Sequence, residues 1–541
     1  MSAIASPTST TPAARSAIAA ARPGRGAGTF FPGVVAGFGV TVALWIAWWF
    51  THLPPSVLDW SAAFPLLLAV MFVGFVWSTR GLGARGWAVG LVAGLTAAVL
   101  SFLILGSRLV EQPETTAEFA AYANRLRPSA ALTYGGFLVA SGALGLVGGA
   151  IGGTLGRRAE PDAGVWLGRF AVITAASFFP LILVGGTVTS ADAGMAVPDA
   201  VTTYGAVSFF FPLSLMSEPR IFLEHTHRLF GTLVGVTTIA LMVATMAVHR
   251  RHWKSGLAAA VPLALGTFAV AALGQVSGGG RPVLPPEAVR TVAILAWLGA
   301  FAWAAASLWL RRPAWSAAAL FALVTIQGVL GIVRVDQNIA LWATLHGVSG
   351  QIVLGVGVGV AVVLAPLFRR DPADAPLTSR AAARAAQAWM FVLLGALLVQ
   401  LTLGATYRHL ASENPGTGHA ALWGHVAFSI VVAVAAVTSG FLARRAEGFS
   451  AQGRTLRRIG AWLVACVFVQ FVLGFLALGH ASPTRVPMPG ELGEAPAIGV
   501  LSTAITTAHQ SNGAVLLALA ALGIGWTARL RARPAAATAG N

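Results

Sequence analysis

Stretches of about 20 apolar residues, nearly free of charge, follow one another along almost the whole chain, and each is long enough to cross the roughly 30 Å hydrocarbon core of a bilayer. Backbone groups in lipid must be satisfied within the protein, which leaves helices or a closed barrel. The period-two alternation of barrel strands is absent. The sequence therefore predicts an all-α, polytopic transmembrane helical bundle. Candidate spans fall at 31–51, 61–77, 86–106, 130–154, 166–187, 226–248, 255–275, 290–310, 316–333, 342–366, 387–405, 421–443, 459–478 and 506–528. The count is fourteen, an even number, so both ends of the chain are expected on one side. Pro262 marks a place where the seventh span could break. Charged residues make up only 10% of the chain, against about 25% in soluble domains.

The net charge of +17 does not point to nucleic acid, because the cations sit in short connections. With the N-terminus inside, inner connections hold Arg80, Arg85, Arg157, Arg158, Arg250 to Lys254, Arg311 and Arg312. Further along they hold Arg369, Arg370, Arg444, Arg445, Arg454, Arg457 and Arg458, and Arg529, Arg531 and Arg533 close the series. Outer connections such as 188–223 and 479–505 are longer and relatively more acidic. This positive-inside pattern predicts an integral protein of a bacterial plasma membrane with both termini cytoplasmic. Cys466 is the sole cysteine, which excludes intramolecular disulfides, cysteine metal clusters and CxxCH heme attachment. Residues 1–28 read as an unstructured cytoplasmic tail, and the apolar run from Phe31 is too long for a cleaved signal.

Two regions differ in character. Residues 1–160 supply four spans without histidine or mid-span charge, a membrane extension without an evident role. Residues 161–541 supply ten, with the pattern Gln-x-x-Leu-Gly at Gln327–Gly331, Gln400–Gly404 and Gln470–Gly474. A histidine follows each near the start of the next span: His346, His425 and His509. An earlier pair of spans carries Gly185-Gly186 and then His227. The recurrence suggests internal duplication. Of eleven histidines, these four approach the same face of the bilayer, and imidazole is the side chain that ligates heme iron axially. Four such ligands suit two six-coordinate hemes. Interfacial anchoring of helix ends is the bland alternative for each one. His52, His409, His419 and His480 are expected in outer connections, with His409 and His480 able to reach the rim of a site. His249 and His252 belong to a basic inner loop.

Glu224-His225-Thr226-His227-Arg228 is the densest polar cluster beside an apolar run. Glu224 and His227 share a helix face, so the carboxylate could hydrogen-bond the imidazole, carry protons or act on a substrate near iron. Arg228 could pair with a heme propionate. The same residues also suit an ordinary helix start with a snorkelling arginine. Residues 190–199 read as an ordered outer loop over a cavity mouth. An electron-transfer protein with b-type heme, or a transporter built from repeats, remains open on these residues alone.

Taken together the motifs resemble the heme A synthase family. The resemblance rests on Gly185-Gly186, Ala193-Gly194 and Pro198-Asp199 before Glu224-x-x-His227-Arg228 and Gly231. It continues through Gln327-Gly328-x-Leu330-Gly331-x-x-Arg334 with His346-Gly347-x-x-x-Gln351. It ends with Gln400-x-x-Leu403-Gly404-Ala405-x-x-Arg408-His409, His425, Gln470-x-x-Leu473-Gly474 and Thr507-Ala508-His509-Gln510-x-Asn512-Gly513. It covers about 166–530. It implies eight core helices in two related four-helix halves, with His227 and His346 at the substrate site and His425 and His509 holding heme b. It also implies Glu224 as catalytic or proton-handling residue. The implied reaction oxidises the C8 methyl of heme O to the formyl of heme A with molecular oxygen and electrons from a membrane donor. Heme O synthase and cytochrome oxidase assembly proteins are the implied partners. The chain departs from the family in Ala200 after Pro-Asp, in lacking outer-loop cysteines, in two added spans at about 255–310 and in its first four spans.

Overall fold

The computed structural model describes residues 28–54, 57–115, 118–119, 123–158, 161–274, 283–366, 377–445, 451–480 and 489–531. Among these, fourteen helices are long and apolar enough to cross a membrane. The all-α polytopic architecture is the one expected. The N-terminal unit comprises α1 (Phe30–His52), α2 (Trp60–Ser78), α3 (Gly86–Leu109) and α4 (Ala130–Thr154). Here α1 packs on α2 and α3, and α4 on both α2 and α3. The α3–α4 contact is backbone against backbone: a methyl at Gly90 would lie 2.0 Å from the Gly145 carbonyl oxygen. Small residues permit such approach in lipid, where packing rather than water exclusion drives association.

The first four-helix bundle is made by α5 (Ala163–Ser190), α6 (Pro219–Val248), α9 (Pro313–Gln337) and α10 (Ala340–Leu364). Each packs on the next, and α10 closes the ring on α5. Between α6 and α9 the chain inserts α7 (Trp253–Leu273) and α8 (Pro286–Trp309), which pack on the flank of α9. These helices correspond to the spans placed at 255–275 and 290–310, and α7 runs unbroken through Pro262. The second bundle, α11 (Leu377–Leu410), α12 (Pro415–Arg444), α13 (Ala451–Leu478) and α14 (Val500–Arg531), closes in the same order. The two bundles meet through α14, which packs on α5 and α10, and through α10 against α11.

Several helices begin earlier than the apolar runs do. Glu218 accepts a hydrogen bond from Ile221 N at 2.7 Å with Pro219 at the first helical position, and Asn414 accepts from Thr417 N at 3.1 Å ahead of Pro415. Capping of this kind satisfies the orphan amide groups of a first turn, so α6 and α12 extend beyond the hydrocarbon-length segment. The four histidines consequently lie about two to three turns inside their helices, deeper than the span boundaries placed them. All four belong to even-numbered helices, which run in one direction, so they gather toward one face, called here the histidine side.

Candidate functional site

The four histidines meet in two couples. The rings of His227 and His346 are 6.4 Å apart centre to centre with planes at 85°. Those of His425 and His509 are 6.0 Å apart at 66°. Two imidazoles holding one metal from opposite sides, each nitrogen about 2 Å from the ion and about 1.1 Å from its ring centre, would stand roughly 6.2 Å apart. Both couples therefore have the separation of an axial pair.

One local device places each ring. The preceding antiparallel helix presents a glycine against it: a methyl there would sit 2.8 Å from His227 Cε1 at Gly185, 3.1 Å from His346 at Gly331, 3.0 Å from His425 at Gly404 and 3.3 Å from His509 at Gly474. One turn earlier on that helix stand Leu181, Gln327, Gln400 and Gln470 respectively. The His425 Nδ1–H donates to Gln400 O at 2.9 Å, while His227 Nδ1 stands outside hydrogen-bonding geometry. A carbonyl only accepts, so at His425 the proton sits on Nδ1 and the Nε2 lone pair is left unprotonated, whereas the Gln327 amide nitrogen stands 3.2 Å from His346 Nδ1 and that of Gln470 3.1 Å from His509 Nδ1.

Three of the four devices add a glutamine. Its amide Nε2 donates to the histidine's own backbone carbonyl at 2.8 Å for Gln327, 2.9 Å for Gln400 and 3.1 Å for Gln470. Leu181 replaces it in the first. Three residues after the histidine, Ser349 and Asn512 donate to the glutamine Oε1 at 2.6 and 2.7 Å, whereas Phe230 and Phe428 occupy that place on α6 and α12. The first device thus matches the third and the second the fourth, which is the signature of duplicated halves. The glutamines entered the sequence reading only as repeat markers; their one-turn spacing from the glycine, which puts both on one helix face, is the signal for their role.

The second couple lines a cavity of about 890 Å³, together with Leu401, Val426, Phe471 and Ser429. It reaches His409, His480, Glu491 and Glu494 toward the histidine side and Gly347 and Gln351 toward the first bundle. Around the first couple, methyls at Gly231, Gly235, Gly328 and Gly347 would meet nothing within 4 Å. Among the described residues no group of three or more His, Cys, Asp or Glu converges on a metal position. A metal at either couple has two protein ligands, so a planar macrocycle is the natural source of the remaining bonds.

Glu224 is 3% exposed. Its Oε1 pairs with Arg228 at 3.2 Å, and its Oε2 is buried without a hydrogen-bond partner. Arg228 differs from the propionate role expected of it. Its five N–H donors go to Glu224 and to the backbone carbonyls of Val197, Asp199 and Thr202. A guanidinium fork fits two carbonyls as readily as one carboxylate, and the loop 191–204 lies directly over it. Arg334 Nη1 donates to Gly194 O at 2.9 Å, and Arg408 pairs with Asp192 and the Thr189 carbonyl. Cations from three helices thus hold this loop, the ordered segment that the sequence suggested. Tyr204 in the same loop donates to Ala196 O at 2.7 Å, and burial, with Glu218 and Asp199 nearby, pushes its hydroxyl up to about 12.

The other histidines divide. His225 is fully buried with its Nδ1 3.3 Å from Thr203 Oγ1. His52 ends α1 rather than lying in a connection; it is buried, stacked on Trp48, with Arg108 Nη2 3.2 Å from its Nε2. His409 lies within α11 and lines the cavity wall, while His419 on α12 and His480 beyond α13 are exposed. No protein-family model, curated protein or solved structure matches this chain.

Proposed function

We propose that this protein is a membrane oxidoreductase of the heme A synthase type, with heme O as substrate at His227 and His346 and a resident heme b at His425 and His509. The observation that carries the reading is the fourfold repetition of one device, a glycine of the preceding helix against the ring, ending in two couples of imidazoles about 6 Å apart. Heme b would supply a one-electron carrier between an external membrane donor and the substrate site.

The remaining work falls to side chains of the first bundle. His227 and His346 set the depth and tilt of the substrate. Arg228 engages Glu224 Oε1, leaving Oε2 as the proton-handling atom beside the couple. The clamped loop 191–204 keeps water from the reacting methyl. Two successive hydroxylations of that methyl each consume one oxygen molecule, two electrons and two protons and release one water; the resulting geminal diol then loses water to give the formyl group. Protons enter through Glu224 and electrons through the second site. The positions matching Glu224 and Arg228 in the second bundle are Leu422 and Val426, which supports chemistry at the first couple and carriage at the second. The lipid-embedded fold suits a farnesylated substrate passed from heme O synthase and a product passed to cytochrome oxidase assembly.

The test is co-expression with a heme O synthase in a host without its own heme A synthase, followed by pigment extraction. Heme A is expected from the wild type, and Glu224→Gln should retain heme while making none. Heme O as the sole extracted product, in a host where a known heme A synthase succeeds, rejects the enzymatic reading. A non-catalytic b-heme protein would instead carry heme b at both couples, and Glu224→Gln would leave it unaltered.

A further inference from the structure

The helices α1–α4 lie outside both bundles; α1 packs along α5, with the Phe38 and Phe170 rings 5.0 Å apart, and the unit touches the first couple's surroundings at two further places. Behind α6, Trp49 Nε1 donates to Thr226 Oγ1 at 3.1 Å, the residue preceding His227. Trp45 meets Phe230 edge-on at 5.6 Å, and Trp48 meets Phe222 at 6.1 Å. Residues 222, 226 and 230 form one stripe of α6 at four-residue spacing. The tryptophans therefore fix the rotation of α6, and with it the direction of His227 and Glu224 on the adjoining face.

The second place is the segment 203–217 between α5 and α6. Val207 N donates to Asn124 Oδ1 at 3.0 Å, Ser214 N to Gln112 Oε1 at 3.1 Å and Ser214 Oγ to Pro113 O at 2.7 Å. Phe211, wholly buried, stands between Phe119 at 5.5 Å and His225 at 5.1 Å. The Phe209 carbonyl lies so close to α3 that a methyl at Gly106 would be 2.2 Å from its oxygen. This strap continues directly into the loop that Arg228 holds.

We propose that the N-terminal four-helix unit is a positioning device for the first couple: α1 sets the rotation of α6, while Gly106 on α3 and the residues Gln112, Pro113, Phe119 and Asn124 hold the strap over the site. Trp49 and Gly106 are the positioning residues. The geometric claim stands on contacts; its consequence for heme rests on the proposed function.

Two measurements on the full chain keep the claims apart. Gly106→Ala is sterically selective, because alanine suits a helix while its methyl displaces the strap. Amide exchange in 203–217 should rise about tenfold as local opening becomes easier, with 411–414, the turn between α11 and α12, unaltered. Trp49→Phe removes the donor to Thr226. In heme-loaded protein it should shift the ferric low-spin resonance of the couple whose ring planes stand at 85° and leave that of the 66° couple in place. If Gly106→Ala does not accumulate, Gln112→Ala serves the same exchange measurement. Unchanged exchange in the strap, or an equal rise in 411–414, overturns the proposal. Absence of heme from wild-type protein would instead defeat the functional reading, and exchange would still decide this one.

Discussion

Substituting alanine at the four glycines that face the histidines converts the site geometry into a ranked outcome. Ordinary carbon contacts lie at about 3.5–4.0 Å. A methyl at Gly185 would stand 2.8 Å from His227 Cε1, so the ring has to retreat by roughly 0.7–1.2 Å. Productive ligand geometry tolerates about 0.5 Å. At Gly474 the separation is 3.3 Å, and a few tenths suffice. Overpacking costs about 1–3 kcal/mol, and helix propensity favours alanine by about 1 kcal/mol. Gly185→Ala and Gly404→Ala should therefore fold while losing about tenfold in heme affinity at their own couple, since 1.4 kcal/mol is a factor of ten. Gly474→Ala should bind nearly as wild type, and Gly331→Ala, at 3.1 Å, should fall between. The assay is heme per polypeptide by pyridine hemochrome with reduced-minus-oxidised spectra. Full occupancy in Gly185→Ala, or a greater loss in Gly474→Ala than in Gly404→Ala, refutes the idea that these glycines seat metal-bound rings.

Other expectations follow from the same contacts. Gln470→Leu copies Leu181 and should cost about 1 kcal/mol of stability, read as an earlier detergent melting transition with both hemes still present. Complete loss of heme would show that the glutamine does more than brace the backbone. Arg408→Ala removes the pair with Asp192 that ties α11 to the loop after α5; both partners are part-buried, so a loss of about 1–2 kcal/mol is expected, together with earlier protease cleavage in 191–204. Equal cleavage of wild type and variant would refute the clamp. Tyr204 titrates near 12 in the folded chain against about 10 unfolded. Its neutral form therefore stabilises the loop fully below pH 10, and that stability drains away between about pH 10 and 12. Tyr204→Phe should flatten this part of the stability profile, and an unaltered alkaline slope would count against it.

The number of crossings was legible because each segment in lipid must satisfy its own backbone, which demands length and apolarity that any single sequence displays. Helix ends were less so. Proline and capping residues carry α6 from 226 back to Pro219 and α12 from 421 back to Pro415, and hydropathy does not register a polar cap. The recurrence of Gln, Gly and His was visible, but the partnering of His227 with His346 and of His425 with His509 came through a family resemblance, since nothing in spacing says which helices adjoin. Arg228 misled for a physical reason: a guanidinium advertises a need for acceptors without saying whether carboxylate or carbonyl supplies them. His52 and His409 looked like connection residues because their helices continue past the apolar runs that precede them.

The duplicated halves diverge in a direction that itself bears on mechanism. The second bundle keeps both glutamine braces, an open cavity and an α13 with only 11% of its span buried, while α9, its counterpart, is 61% buried beneath α7 and α8. The first bundle has lost one brace, Leu181 standing for glutamine, yet it gains Glu224, the arginine-held loop and the tryptophan backing from α1. A site that only carries electrons needs its ligands seated and little else, because its geometry hardly changes on turnover. A site where a methyl group reacts beside the metal needs a proton-handling group, exclusion of water and ligands that hold their direction while the substrate changes. The extra helices are added where that second set of demands falls, so the asymmetry of the scaffold follows the proposed division of labour rather than the symmetry of its repeat.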